Sequence, residues 1–212
     1  MTLALVAKLL VCYLLGSISG SLLLGRLRGV DIRTQGSGNA GGTNALRTQG
    51  WRFALGVVLI DVGKGALAAW IGASAIGGAP ADREAAALAC VFAAVFGHVW
   101  PVFYGFRGGK GAATLVGGIA ASVPVLLLPV IGVWIAVLVL TGYVGLATVI
   151  AAASLVPAAL WMVGAAPASP LSVFALGAAV YIAWTHRENL RRLAHGTENR
   201  FERVRIFARR AR

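Results

Sequence analysis

Residues 112–164 contain no charged side chain. A soluble domain cannot hide an uncharged apolar stretch of that length, and one helical crossing of a bilayer takes only about 20 residues. The chain is therefore expected to be an all-α integral membrane protein that crosses the bilayer several times. Composition agrees. Hydrophobic residues make up 58% of the chain and charged residues 12%, against about a quarter charged in ordinary soluble proteins.

Four further apolar runs, at residues 3–24, 53–76, 85–104 and 171–185, read as spans. A short connector, residues 77–84, separates the second from the third. Net charge is +12, from 19 Lys and Arg against 7 Asp and Glu. The cations gather in three polar segments: Arg26, Arg28, Arg33, Arg47 and Arg52 in the first, Arg107 and Lys110 in the second, and the arginines from Arg187 to Arg212 in the third. Basic segments that alternate with apolar runs follow the positive-inside bias, which points to a membrane surface and not to nucleic acid. The first run has only Lys8 near its start while Arg26 and Arg28 follow it, which predicts an outside N-terminus and no cleaved leader. Parity then places all three basic segments, and the C-terminus, on the cytosolic face. The block at 112–164 must cross an odd number of times. Pro124 and Gly142 divide it into three, which gives a bundle of seven transmembrane helices, with five as the alternative. Gly16 and Gly20 stand at a spacing that lets helices pack closely. Cys12 and Cys90 lie inside apolar runs and read as inert core residues. A single domain over residues 1–212 is expected, with 200–212 as a basic membrane-surface tail.

The first polar segment contains Gly36, Ser37, Gly38, Asn39, Gly41, Gly42, Thr43, Asn44 and Arg47. Its G-x-G-x-x-G string lacks the preceding strand of a dinucleotide fold, so that reading is rejected. Glycines can instead turn backbone N–H groups into a concave anion site, with Ser37, Asn39, Thr43 and Asn44 as neutral donors and Arg47 as a bidentate phosphate ligand. A plain flexible loop is the competing account. The second segment carries Arg107, Gly108, Gly109, Lys110 and Gly111. It departs from a Walker A motif at Tyr104 and Gly111, so nucleotide hydrolysis is poorly supported. A helix starting after Gly111 would aim its first N–H groups at an anion, with Lys110 beside them.

In the third segment, His186 and Asn189 share a helix face if the last span continues. His186 suits proton transfer near neutrality, Asn189 suits a substrate hydroxyl or phosphate oxygen, and Glu198 is expected to pin the segment to the basic loops. His186 as a helix C-cap is the simpler alternative. Asp61 and Lys64, at i and i+3 inside the second span, read first as a neutralising pair. The functional reading puts Lys64 near bound phosphate. For His98 a catalytic role competes with a structural hydrogen bond at a span end, and the structural reading is preferred. No His/Cys/carboxylate cluster has metal-ligand spacing, and no cofactor is implied.

Taken together, these elements resemble the bacterial acyl-phosphate glycerol-3-phosphate acyltransferase family, PlsY. That family carries a motif like Gly-Ser-Gly-Asn-x-Gly-Ala-Thr-Asn-x-Leu-Arg, met here from Gly36 to Arg47 with Gly42 in place of Ala. It carries Asp-x-x-Lys-Gly, met by Asp61, Lys64 and Gly65. It carries a Gly-His…Pro-Val-Phe…Gly-Phe-Lys-Gly-Gly-Lys-Gly string, kept here apart from Arg107 for Lys. Its last motif, His-x-x-Asn-x-x-Arg-Leu-x-x-Gly-Thr-Glu, is met from His186 to Glu198. The resemblance implies a seven-span enzyme of the bacterial inner membrane with a cytosolic active site. It implies acyl phosphate and glycerol 3-phosphate as substrates, and lysophosphatidic acid and phosphate as products. It carries over Ser37, Arg47, Lys110, His186, Asn189 and Glu198 as site residues.

A mixed anhydride is already activated, so direct attack by the glycerol hydroxyl is the expected mechanism. Ser37, Arg47 and Lys110 would hold phosphate, and His186 and Asn189 would orient the acceptor. A Ser37–His186–Glu198 triad forming an acyl-enzyme is the rival. A transporter of phosphorylated metabolites is the alternative function, and a lipid-binding scaffold is a third.

Overall fold

The structure, a computed structural model, describes residues 2–76 and 82–205. Most of the expected connector and the end of the basic tail lie outside the described residues. The chain divides into two compact units, Met1–Pro124 and Val125–Arg212.

In the first unit the opening apolar run is not one helix. It forms α1 (Leu3–Gly16) and α2 (Gly20–Leu27), bent by 46° at the break. Ser17 and Ser19 sit in that break, and the Ser17 hydroxyl donates back to the Tyr13 carbonyl at 2.9 Å, an i−4 bond of the kind that bends helices. Gly16 packs its backbone on Ala94 and Gly20 packs on Val57. The two glycines thus serve two different neighbours, one on each side of the bend. After the first polar segment come α3 (Gly42–Gln49), α4 (Trp51–Ala73), α5 (Arg83–Val99) and α6 (Ala112–Ser122). Asp82 caps α5 by accepting from the Ala85 N–H at 2.9 Å. Lys8, buried in α1, caps the far end of α4 by donating to the Ser74 carbonyl at 2.6 Å. Helices α4 and α6 touch backbone to backbone. A Cβ on Gly65 would fall on the Thr114 carbonyl oxygen, and one on Gly117 would fall on that of Val62.

In the second unit α7 (Leu127–Thr141) and α8 (Val144–Met162) are joined at Gly142, whose φ of 78° suits a residue without Cβ. Then come α9 (Pro170–Thr185), with Ser169 as N-cap and Pro170 at its first position, and α10 (Arg187–Ala194). The uncharged block therefore breaks near Pro124 and at Gly142, as its sequence predicts.

Among the described residues four helical stretches are long and apolar enough to cross a membrane: Trp51–Ala73, Arg83–Tyr104, Pro124–Thr141 and Val144–Met162. The bent pair α1–α2 makes a fifth if it counts as one span. Helices α6 and α9 are apolar but shorter, with 11 and 16 residues. At 1.5 Å per residue they reach about 16 and 24 Å, against the ~30 Å of a hydrocarbon core. The chain is an all-helical, multi-pass membrane protein.

Candidate active site

The first polar segment folds over a small apolar floor of Leu22, Ile32, Ala40, Ala45, Phe53, Ala54 and Val57. Asp31 caps the turn at Ile32–Thr34 and holds the Arg33 guanidinium at 2.8 Å. Hydrogen bonding from Arg33 holds the Asp31 carboxyl below the usual carboxylate range. Arg33 then reaches across to the second segment, donating to the carbonyls of Tyr104 at 3.0 Å and Arg107 at 3.1 Å. Arg26 lies over the Tyr104 ring, 4.5 Å from its centroid. The two glycine-rich segments are thereby stapled side by side within the first unit.

Asn44 supplies the scaffold of the first segment. It is 1% exposed. Its amide nitrogen donates to the carbonyls of Ile32 at 3.1 Å and Gln35 at 2.9 Å, and its oxygen accepts from the Ser37 N–H at 2.9 Å. Those bonds correct the expectation that Asn44 is an anion donor, because both of its donor protons are already used inside the loop. Gly36 is required beside it, since its φ is 56° and a Cβ there would fall on the Asn44 oxygen. Ser37 and Gly38 stand exposed at the tip, Asn39 and Thr43 are half-buried, and Arg47 projects from the last turn of α3. Asn44→Ala should remove the partner of three backbone groups, of which the buried Ile32 carbonyl alone costs about 1–3 kcal/mol. Protease sensitivity confined to residues 31–41, with α4 and α5 intact, would report that collapse, and a wild-type digestion pattern would refute it.

The second segment also differs from a simple nest of free N–H groups. Gly108 N–H donates to the Val99 carbonyl and Gly109 N–H to that of His98, both at 3.1 Å. Those two glycines are zipped onto the end of α5. Lys110 follows, half-buried, and Gly111 caps α6 with a φ of 86°. A helix does begin at Ala112, as predicted. A Cβ on Gly109 would lie 2.8 Å from the Ala40 carbonyl oxygen, so the two segments meet there.

Lys64 is not at the surface of this site. Its ammonium is 2.8 Å from the Gly16 carbonyl, 2.9 Å from that of Ile18, 2.9 Å from Asp61 and 2.8 Å from His98 Nδ1. Asp61 in turn accepts from the Gly20 N–H at 3.1 Å. The charged pair satisfies the carbonyls that end α1 and the N–H that begins α2. The neutralising reading of Asp61 and Lys64 therefore describes the geometry, and a direct phosphate contact from Lys64 does not. His98 is the structural hydrogen bonder that the sequence suggests, but its partners Lys64 and Asp61 were not foreseen. The signal that could have found this cluster was the break itself, since Ser17–Ile18–Ser19 in an apolar run requires a partner for each freed backbone group.

In the second unit His186 stands at the joint of α9 and α10 and is 6% exposed. Its Nδ1 is 2.8 Å from the Ile182 carbonyl. A carbonyl only accepts, so Nδ1 carries the proton and Nε2 is the basic nitrogen of the neutral ring. Helix α10 ends in a Schellman turn at Gly196, with φ 70° and the Thr197 N–H on the Arg192 carbonyl at 2.8 Å. That reversal returns Glu198 to its own helix. Its two oxygens take Asn189 Nδ2 at 2.6 Å and Arg192 Nε at 2.7 Å. Glu198 thus pins Asn189 and Arg192, not the basic loops as expected. Because the imidazole Nδ1 rests on Ile182 and Glu198 is engaged elsewhere, no His186–Glu198 dyad of a catalytic triad is formed among the described residues.

The family described as Glycerol-3-phosphate acyltransferase matches residues 6–196. The chain is 40% identical to a glycerol-3-phosphate acyltransferase of Chlorobaculum parvum, over 92% of this chain and 95% of that protein. It is equally similar, at 40% and the same coverage, to the corresponding protein of Chlorobaculum tepidum. It also resembles a crystal structure of PlsY (YgiH), an integral membrane glycerol 3-phosphate acyltransferase, in its glycerol 3-phosphate form. There the TM-score is 0.81 and the identity 34%, over 93% of this chain and 95% of that one. The lysophosphatidic acid form of the same protein gives 0.79 and 33%. With most of its length matched in sequence and in fold, the chain belongs to the glycerol-3-phosphate acyltransferase family.

Proposed function

We propose that this protein transfers an acyl group from acyl phosphate to the 1-hydroxyl of glycerol 3-phosphate, giving 1-acyl-glycerol 3-phosphate and inorganic phosphate. The observation that carries the reading is the stapling of two glycine-rich segments by Arg33, which sets Ser37 and Arg47 on one segment and Lys110 on the other. These three groups hold phosphate, with Gly111 and the first turn of α6 adding backbone N–H groups. The hydroxyl oxygen bonds to the acyl carbon, the C–O bond to phosphate breaks, and the bonding pair leaves with phosphate. Preorganised cations offset that departing charge. His186 offers Nε2 to the hydroxyl proton, and Asn189, oriented by Glu198, positions glycerol 3-phosphate. The family match spans both compact units, which supports one acyltransferase domain over residues 1–212.

Seven crossings follow if α6 and α9 count as spans beside the bent first pair. The basic residues Arg26, Arg107 and Arg187 then lie on the cytosolic face of a bacterial inner membrane, with the N-terminus outside and the active site cytosolic. A transporter would also use a broken helix, with its freed carbonyls coordinating a coupling ion. Here Lys64 already occupies the carbonyls of Gly16 and Ile18, which favours the enzyme.

Purified protein in detergent, given acyl phosphate and glycerol 3-phosphate, should release phosphate and 1-acyl-glycerol 3-phosphate in equal amounts. Lys110→Ala and Arg47→Ala should each lower kcat/KM by about 100- to 1,000-fold, the loss typical of one preorganised donor. Product from acyl-CoA alone would overturn the donor. No product from either donor would overturn the enzyme.

A further inference from the structure

We infer that His98, held by Lys64 and Asp61, is a positioning residue that fixes the path of the second glycine segment and so the place of Lys110. The inference rests on the reading of that segment as phosphate-binding.

His98 is 2% exposed and lies at the end of α5, inside the first unit. Its Nδ1 is 2.8 Å from the Lys64 ammonium and 3.4 Å from Asp61. An ammonium cannot accept a hydrogen bond, so at the shorter contact Nδ1 is the acceptor and the ring proton belongs on Nε2. Nε2 lies against Gly109, where an added Cβ would collide with it. The backbone of the same histidine holds the same glycine, since the His98 carbonyl accepts the Gly109 N–H at 3.1 Å. The same missing Cβ of Gly109 also faces the Ala40 carbonyl of the first segment. Gly109 thus packs against both the imidazole and the first segment, and Lys110 is the next residue along the chain.

The ring cannot settle elsewhere. Lys64 is anchored on the two carbonyls at the break of the first span and on Asp61, which also receives the Gly20 N–H. A chain of contacts therefore runs from the bend between α1 and α2, through Asp61, Lys64 and His98, to Gly109. None of these three side chains needs to touch substrate. Their effect is on where the Lys110 ammonium and the start of α6 stand relative to a bound phosphate, and placement errors of about 1 Å can cost up to ~100-fold.

The test reads Lys110 directly. Lys8 and Lys64, the other lysines of the chain, are 7% and 4% exposed, while Lys110 is half-buried. An amine-reactive reagent, with modification mapped by mass spectrometry, therefore reports Lys110, and inorganic phosphate is the protecting ligand. In wild type, phosphate should slow modification of Lys110. His98→Ala should weaken that protection by about tenfold or more and lower kcat/KM to a similar extent, while His98→Gln, which can still accept from Lys64, recovers most of the loss. Gly109→Ala should give the same defect alone but less than its full effect in a His98→Ala background, because the collision with the ring is gone while that with the Ala40 carbonyl remains. Protection that is unchanged in folded His98→Ala, or effects of the two substitutions that simply multiply, would overturn the positioning role while leaving the phosphate site intact. No protection in wild type would overturn the phosphate reading itself and this inference with it.

Discussion

Lys64→Met should be among the most damaging substitutions in the chain, costing about 3–5 kcal/mol because it leaves a buried carboxylate unpaired. Asp61 is 1% exposed and has lipid-embedded helices around it. The informative comparison is the double variant Asp61→Leu with Lys64→Met. An ion pair buried for no further reason can often be exchanged for apolar residues at little cost. This pair also serves the Gly16 and Ile18 carbonyls and the Gly20 N–H, and removing it orphans those groups at about 1–3 kcal/mol each. The double variant should therefore remain clearly less stable than wild type in a thermal melt in detergent. A double variant as stable as wild type would mean that the first span straightens without penalty once the charges are gone.

The second large effect belongs to the α4–α6 contact. Gly117→Leu places a side chain where the Val62 carbonyl already stands, and Gly65→Leu does the same against Thr114. Overpacking usually costs about 1–3 kcal/mol, and more where the obstacle is backbone that cannot rotate aside. The two helices must then separate. Since α6 begins directly after Gly111, acyl transfer should fall with stability. Gly63 is the internal control. It lies on the same helix with nothing near its missing Cβ, so Gly63→Ala should leave the melting temperature unchanged or raise it. Equal melting temperatures for Gly63→Ala and Gly117→Leu would refute the close approach.

Much of the architecture was legible because it follows from one-dimensional rules. Hydropathy and charge located the apolar helices, and Pro124 and Gly142 marked real breaks. The bend in the first span was not read, because Ser17 and Ser19 are mild enough in hydropathy to pass inside a membrane segment. Its explanation lies more than forty residues away, in Asp61 and Lys64. The same limit applied to the site. Types and spacing singled out the polar segments, but they could not say which donors were already used. Asn44, Gly108 and Gly109 looked available in sequence and are engaged in structure, while Glu198 turned back onto Asn189 through a reversal that depends on Gly196. Each of these outcomes is a long-range or loop-level choice of hydrogen-bond partner, which periodicity does not encode.

The bend between α1 and α2 has a consequence for how the chain is made. The first hydrophobic segment leaves the ribosome well before Asp61 and Lys64 are synthesised. Until they arrive, the backbone groups at Gly16, Ile18 and Gly20 have no partner in hydrocarbon, where each unmet group costs several kcal/mol. The bent shape is therefore not available to the nascent segment by itself. It is acquired when α4 enters the bilayer and brings its charges, so the first stretch of the protein takes its final form only after the second has been inserted.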